Sequence, residues 1–199
     1  MKAPRFAIAL ALTLAAWIPF GAAAAERGPF SLIDHHGRAV TDRDYLGSYM
    51  VVFFGYTHCP DVCPMDLAII SQAMELLGDK AVRVRPLFIT VDPQRDTPRV
   101  MAEYVSNFHP RLVGLTGTPE QVARAARVYR IQYRKFFPAP TGQQDGPEKA
   151  NYFMDHSAAT ILIGPDGGPL GLYPHGMKPE DMAADILNIM ETGNGNQQN

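Results

Sequence analysis

Cysteine is nearly absent from this chain: 199 residues contain two, Cys59 and Cys63. So low a count excludes the disulfide framework that staples small secreted domains. Neither cysteine lies near the small-residue stretch at positions 21–25, which excludes a lipid-modified cysteine there. Basic runs are missing too, and no basic face is interleaved with aromatics, so nothing points to nucleic acid. The methionines form no cluster. Met65, Met74, Met101, Met182 and Met190 fall singly or at helix-core spacing, which excludes a methionine-rich metal site. Internal repeats are also absent.

The one long apolar run is residues 6–25, preceded by Lys2 and Arg5 and closed by Gly21-Ala-Ala-Ala-Ala25. This is the layout of an export signal with an Ala-x-Ala cleavage site at Ala23 to Ala25. Twenty residues from Phe6 to Ala25 would also suffice for a retained membrane anchor. Either way, the body of the protein is expected outside the cytoplasm. Residues 26–191 are long enough for one domain with a sizeable core, and 192–199 read as a polar, disordered tail. Without Lys2 and Arg5, 16 of the 18 basic residues face 20 acidic ones, a net charge near −4. A mildly acidic surface slightly favours cationic or metal-carrying partners.

Ser31 to Val40 reads as a hairpin turning at His36-Gly37-Arg38. Met50 to Tyr56 is a buried strand, followed by a helical pattern from Pro64 to Leu77 that places Cys63 at or beside the N-cap. A second buried strand is expected at Val82 to Val91, a helix from Pro98 to Phe108, a short strand at Arg111 to Leu115, and a helix from Thr118-Pro119-Glu120 to Val128. Residues 138–150 form a polar loop. Ala158 to Ile163 and Leu170 to Tyr173 flank the turn Gly164-Pro-Asp-Gly-Gly168, and a last amphipathic helix starts at Pro179. Strand–helix alternation ending in a hairpin plus helix predicts an α/β fold, a central mixed β-sheet flanked by helices. A cysteine pair between the first long strand and its helix is the thioredoxin arrangement.

Cys59 and Cys63 would close a very short loop, so a disulfide there would constrain the unfolded chain little. Such a local pair reads as redox-active or metal-binding. A helix N-terminus favours the thiolate, the form that attacks disulfides and binds metals. Pro60 and Pro64 restrict the backbone before each ring, and three intervening residues leave room for two sulfurs to flank an ion. His156 stands just before an apolar strand, where a loop can carry it to the cysteines. Two thiolates and an imidazole suit Cu(I) and accept Cu(II). A closed zinc site would want a fourth protein ligand. His58 should point away from Cys59, and His35-His36 reads as an exposed pair. Asp96 or Thr97 reads as a helix cap before Pro98. Asp92 ends a central strand on the sheet edge of the cysteine loop, and either tunes the metal or thiol, provides a weak extra ligand, or is structural.

Four segments, Phe54-Gly-Tyr-Thr-His-Cys-Pro-Asp-Val-Cys-Pro64, Thr90-Val-Asp-Pro-Gln-Arg-Asp-Thr-Pro98, Asp155-His-Ser-Ala158 and Gly164-Pro-Asp-Gly167, together resemble the Sco/SenC family in order and spacing. The resemblance spans roughly residues 28–191. It implies a thioredoxin-like fold and one copper per monomer, ligated by Cys59, Cys63 and His156. It also marks Asp92 and Asp96 as the family's acidic loop. Met65 departs from the family, which often has an acid there, with Asp66 adjacent. The implied function is a metallochaperone that delivers copper to the copper A centre of cytochrome c oxidase subunit II or a related cuproprotein. Its place would be the bacterial periplasm or the outer face of the inner membrane, with another copper chaperone or a thioredoxin-like reductase as further partners. The alternative is an enzyme, a thiol–disulfide reductase that keeps the acceptor cysteines reduced through a redox-active Cys59–Cys63 pair. A peroxidase of the peroxiredoxin type is disfavoured: its cysteine needs a Thr and an Arg placed to polarise peroxide, and Thr57-His58-Cys59 offers no matching arrangement.

Overall fold

The computed structural model describes residues 30–137 and 152–192; the expected leader, the polar loop at 138–150 and residues 193–199 lie outside them. The hairpin β1 (Ser31–Asp34) and β2 (Ala39–Thr41) is followed by β3 (Tyr49–Gly55), α1 (Val62–Leu76), β4 (Val84–Thr90), α2 (Pro98–Val105), β5 (Val113–Thr116) and α3 (Pro119–Val128). Then come β6 (Tyr133–Phe136), β7 (Phe153–His156), β8 (Ala159–Ile163), β9 (Pro169–Pro174) and α4 (Pro179–Thr192). Thr192 therefore ends a helix rather than opening the tail.

Seven strands form one mixed sheet in the order β2-β1-β5-β4-β3-β8-β9. β3 is central and buried at every position, because it pairs with β4 on one side and β8 on the other. That is why its sequence is a continuous apolar run rather than an alternating one. Phe53, Phe54, Phe88, Leu67, Met74 and Met101 are among the largest fully buried side chains around it. α1 packs on α4, α2 on β5 and α3 on β1.

Register decides what meets at the sheet end. β3 and β4 run parallel, with Gly55 beside Thr90. β8 runs antiparallel to β3, with Thr160 beside Phe53. The C-terminal ends of β3 and β4 and the start of β8 therefore share one edge, where α/β proteins commonly build their sites. The loop after Gly55 carries Cys59 and Cys63, the loop after Thr90 carries Asp92 and Asp96, and the chain entering β8 carries His156.

The local start signals explain the helix boundaries. Thr97 caps α2 by accepting from the Val100 N–H, with Pro98 at the first helical position. Thr118 and Gln121 form a capping box on α3. α1 begins at Val62, earlier than expected, so Cys63 lies inside its first turn and not at the cap. The pair β6–β7 was not legible in the sequence. It forms a separate two-stranded sheet, with Tyr133 opposite His156 and Phe136 opposite Phe153. Its strands are short and largely exposed, so they carry no apolar run or clean alternation to announce them.

Candidate metal centre

Asp61 occupies the N-cap of α1 but makes no side-chain cap hydrogen bond. Instead the Cys63 N–H donates to the Cys59 sulfur across 3.4 Å. A sulfur thus serves an orphan donor of the helix N-terminus, where the dipole favours negative charge. The Cys59 thiol is held far below its ordinary pKa. The hydrogen bond from Cys63 is the largest cause, burial opposes it, and His156 and the backbone N–H groups of Asp61 and Cys63 add to the lowering. The Cys63 thiol is pushed up, first because its proton serves Cys59 and next by burial. The pair is therefore polarised into a half-buried thiolate, Cys59, and a fully buried thiol, Cys63.

The space beneath Cys63 is tight. A Cβ on Gly55 would sit 2.7 Å from the Cys63 Sγ and 2.9 Å from Phe88 Cε2. Glycine is required there by the sulfur's close approach rather than by backbone conformation, a role the sequence did not disclose.

His156 ends β7. Its Nε2 lies 3.4 Å from the Cys63 Sγ, 93 residues away in sequence, and its Nδ1 lies 3.1 Å from the Ser157 carbonyl. The ring is edge-on to Tyr56, centroids 5.9 Å apart, and to Phe53 at 6.4 Å. The two sulfurs and one imidazole nitrogen all lie within 4.8 Å of one another. Two soft donors and one borderline donor at that spacing fit a copper ion as cargo. Among the described residues no fourth His, Cys or carboxylate joins them, in keeping with an open site rather than a closed zinc site.

The family model for SCO1/SenC matches residues 21–191. The chain belongs to the SCO1/SenC family. It is 42% identical over 165 residues to human "Protein SCO1 homolog, mitochondrial", covering 82% of this chain and 52% of that protein. It is 46% identical over 170 residues to bovine "Protein SCO2 homolog, mitochondrial", covering 84% and 61%. The chain thus spans little more than half the length of these curated SCO relatives. Among solved structures, ScoI of Bradyrhizobium japonicum with copper bound is 42% identical, with a TM-score of 0.70, covering 81% of this chain and 97% of that one. The thioredoxin-like fold expected of a Sco/SenC protein is the fold observed. The curated SCO relatives are named as mitochondrial proteins, which overturns the expectation of a bacterial periplasmic or inner-membrane location. That expectation rested on the N-terminal segment together with the family resemblance, and a basic, then apolar, acid-free leader does not by itself distinguish compartments.

The two aspartates of this SCO1/SenC chain lie apart from the ligand atoms and do different work. Asp96, expected as a helix cap, is fully buried and caps nothing; Thr97 does that. It accepts hydrogen bonds from the Thr57 N–H (3.0 Å), the Thr57 hydroxyl (2.6 Å) and the Thr90 hydroxyl (2.5 Å). Burial raises its pKa and these donors oppose the rise. Asp96 therefore fastens the start of the cysteine loop to the end of β4. Asp92, also buried, accepts from Arg95 Nε and from the Tyr152 hydroxyl at 2.8 Å. Arg95 donates to the Tyr152 carbonyl at 3.1 Å, and its guanidinium lies 3.7 Å from the centroid of the Tyr152 ring. Tyr152 immediately precedes β7, so this cluster clamps the strand that carries His156. Tyr56, Thr57, Arg95 and Tyr152 were passed over in the sequence because their roles exist only through partners far along the chain. His35 is likewise not a plain surface residue: its Nδ1 accepts the Gly114 N–H at 3.1 Å. Asp66, the acid adjacent to Met65, is buried. It accepts the Gly176 N–H at 3.2 Å and pairs with His175 Nδ1 at 2.9 Å, which holds the turn before α4 to α1.

Proposed function

We propose that this protein is a copper metallochaperone that holds one copper ion per monomer on Cys59, Cys63 and His156. The acceptor is cytochrome c oxidase subunit II, at its copper A centre, or a related cuproprotein. The reading is carried by the convergence of two sulfurs and one imidazole nitrogen within 4.8 Å, on a chain that belongs to the SCO1/SenC family. Three ligands leave an open coordination position, so an incoming acceptor thiolate can bind before a donor ligand leaves. Cys59 is already poised as a thiolate, and binding of copper releases the Cys63 proton. Oxidation to a Cys59–Cys63 disulfide removes both thiolates, so copper loading and thiol redox state are coupled.

The test is a Cu(I) titration of the reduced and the oxidised chain. The reduced chain should take up one equivalent and the oxidised chain none. Stoichiometric uptake by the disulfide form would overturn the assignment.

The polarised pair favours a second reading. A half-buried thiolate beside a buried thiol is also the arrangement of a thiol–disulfide reductase. Cys59 would attack an acceptor disulfide and expel one acceptor thiolate, and Cys63 would then resolve the mixed disulfide. Two electrons pass to the acceptor and Cys59–Cys63 becomes oxidised. The two readings part at His156, which ligates copper but is not needed for the exchange.

A further inference from the structure

At the sheet end opposite the cysteines lies a cleft of about 520 Å3, formed where the N-terminal ends of β4 and β5 meet the β1–β2 turn. Its wall includes His35, His36, Arg38, Tyr45, Arg85 and Arg111, while Asp44 is the one carboxylate among the lining residues. The charges are not balanced inside the protein. Arg38 pairs with the buried Asp34 at 2.7 Å. Asp44 accepts from the Thr41 N–H and hydroxyl through one oxygen. Arg111 spends its Nε and Nη2 on the carbonyls of Val82 and Val84. Arg85, half-buried, has neither a hydrogen-bond acceptor nor a carboxylate partner among the described residues.

Arg85 and Arg111 share a cleft whose one lining carboxylate, Asp44, accepts from Thr41, and burial followed by the nearness of Arg111 lowers the pKa of Arg85. Burial likewise lowers that of His35, with His36 the next cause. His35 therefore brings little charge at neutral pH. Because its Nδ1 accepts the Gly114 N–H, its proton sits on Nε2, which adds a neutral donor. Forked cationic donors beside an imidazole N–H are the recognition chemistry of a tetrahedral oxyanion.

We propose that this cleft binds a phosphate group through Arg85 and Arg111, with His35 as a neutral donor. The group would be either free phosphate or the phosphate of an anionic lipid headgroup. The site is separate from the cysteine–histidine centre and does not depend on copper.

The full chain should be titrated with inorganic phosphate at ionic strength held constant with chloride. The side-chain Nε–H resonances of the arginines are the readout. A second titration uses vesicles of phosphatidic acid in phosphatidylcholine, beside vesicles of phosphatidylcholine alone. Saturable shifts of Arg85 are expected with at least one phosphate probe. The arm that responds identifies the source, since phosphate alone marks a soluble anion and vesicles alone mark a headgroup. Arg85→Gln should weaken binding roughly 10-fold or more, as expected for loss of charge-assisted hydrogen bonds. Its thermal midpoint without ligand should match or exceed the wild type, since the variant removes a repulsion and no internal hydrogen bond. Arg85→Lys, which keeps the charge without the fork, should fall between the two and gives a second reading if Arg85→Gln folds poorly. No saturable shift with either probe would overturn the proposal. So would binding that neither variant weakens.

Discussion

The sulfurs and the imidazole of the candidate centre come from regions built on different principles. Cys59 and Cys63 sit on the turn between β3 and α1, above a strand buried along its whole length. Their placement is over-determined by the core, by Gly55 beneath Cys63, and by the Asp96 latch on Thr57. His156 comes from β7, one half of a two-stranded sheet largely exposed to solvent. An isolated two-stranded sheet is marginal by itself. This one is held by the contact of Arg95 and Asp92 with Tyr152, by Lys135 over the Tyr152 ring at 4.3 Å, and by the exposed Arg134–Asp155 pair. The thiolates are thus a property of the fold, while the imidazole is a property of a clamp. One half of the site is rigid by packing, and the other can be altered without disturbing the core.

The largest loss should come from the packed half. Cys59→Ser or Cys63→Ser should weaken Cu(I) affinity by well over roughly 100-fold, exceeding the usual effect of losing a partner outside the ligand set. Competition with a Cu(I) chelator measures this, and unchanged affinity in either variant would sink the ligand assignment. His156→Ala should follow, with a loss on the order of 100-fold in copper affinity. Its reduction rate toward an oxidised acceptor peptide should remain largely intact. If the rate falls while affinity holds, His156 serves thiol chemistry and the chaperone reading is wrong.

Gly55→Ala tests whether the rigid half really is packed. The added methyl meets the Cys63 sulfur at 2.7 Å, and overpacking of this kind costs about 1–3 kcal/mol. Urea unfolding should show that loss together with weaker copper binding, whereas a wild-type midpoint would mean that the sulfur has room to move. Tyr152→Phe tests the clamp. Asp92 loses one donor, for about 1 kcal/mol of stability, and copper affinity should drop about 10-fold while thiol exchange is unchanged. An equal fall in both activities would show that the arm and the cysteine loop are not separable.

The smallest change expected is in the pH response of alkylation. Because the Cys59 pKa is lowered, its thiolate persists as pH falls below the ordinary thiol range. The iodoacetamide rate at Cys59 should therefore be nearly flat from pH 8 to pH 6, where a thiol of ordinary pKa would lose roughly 80-fold of its thiolate. Buried Cys63 should stay unmodified in the folded chain. A steep fall at Cys59 would remove the polarisation on which both functional readings draw.

Much of the fold was legible in advance because its signals are local. The start of α3 carries its own capping box, α2 opens with Thr97-Pro98, and β3 and β4 announce burial as apolar runs. The same holds for the ligand types. Two cysteines four apart at a strand-to-helix turn, with one histidine before a later strand, marked Cys59, Cys63 and His156 as candidates, and the resemblance to the Sco/SenC family put the three together as a ligand set. The sequence by itself therefore determined which candidate donors exist, two soft thiols and a borderline imidazole. Tertiary structure alone decided that they meet, because the antiparallel register of β8 on β3 closes a separation of 93 residues. It also decided the parts played by Gly55, Asp96, Arg95 and Tyr152. Each of these acts through a neighbour distant along the chain, and no spacing rule encodes a contact whose two halves belong to different elements.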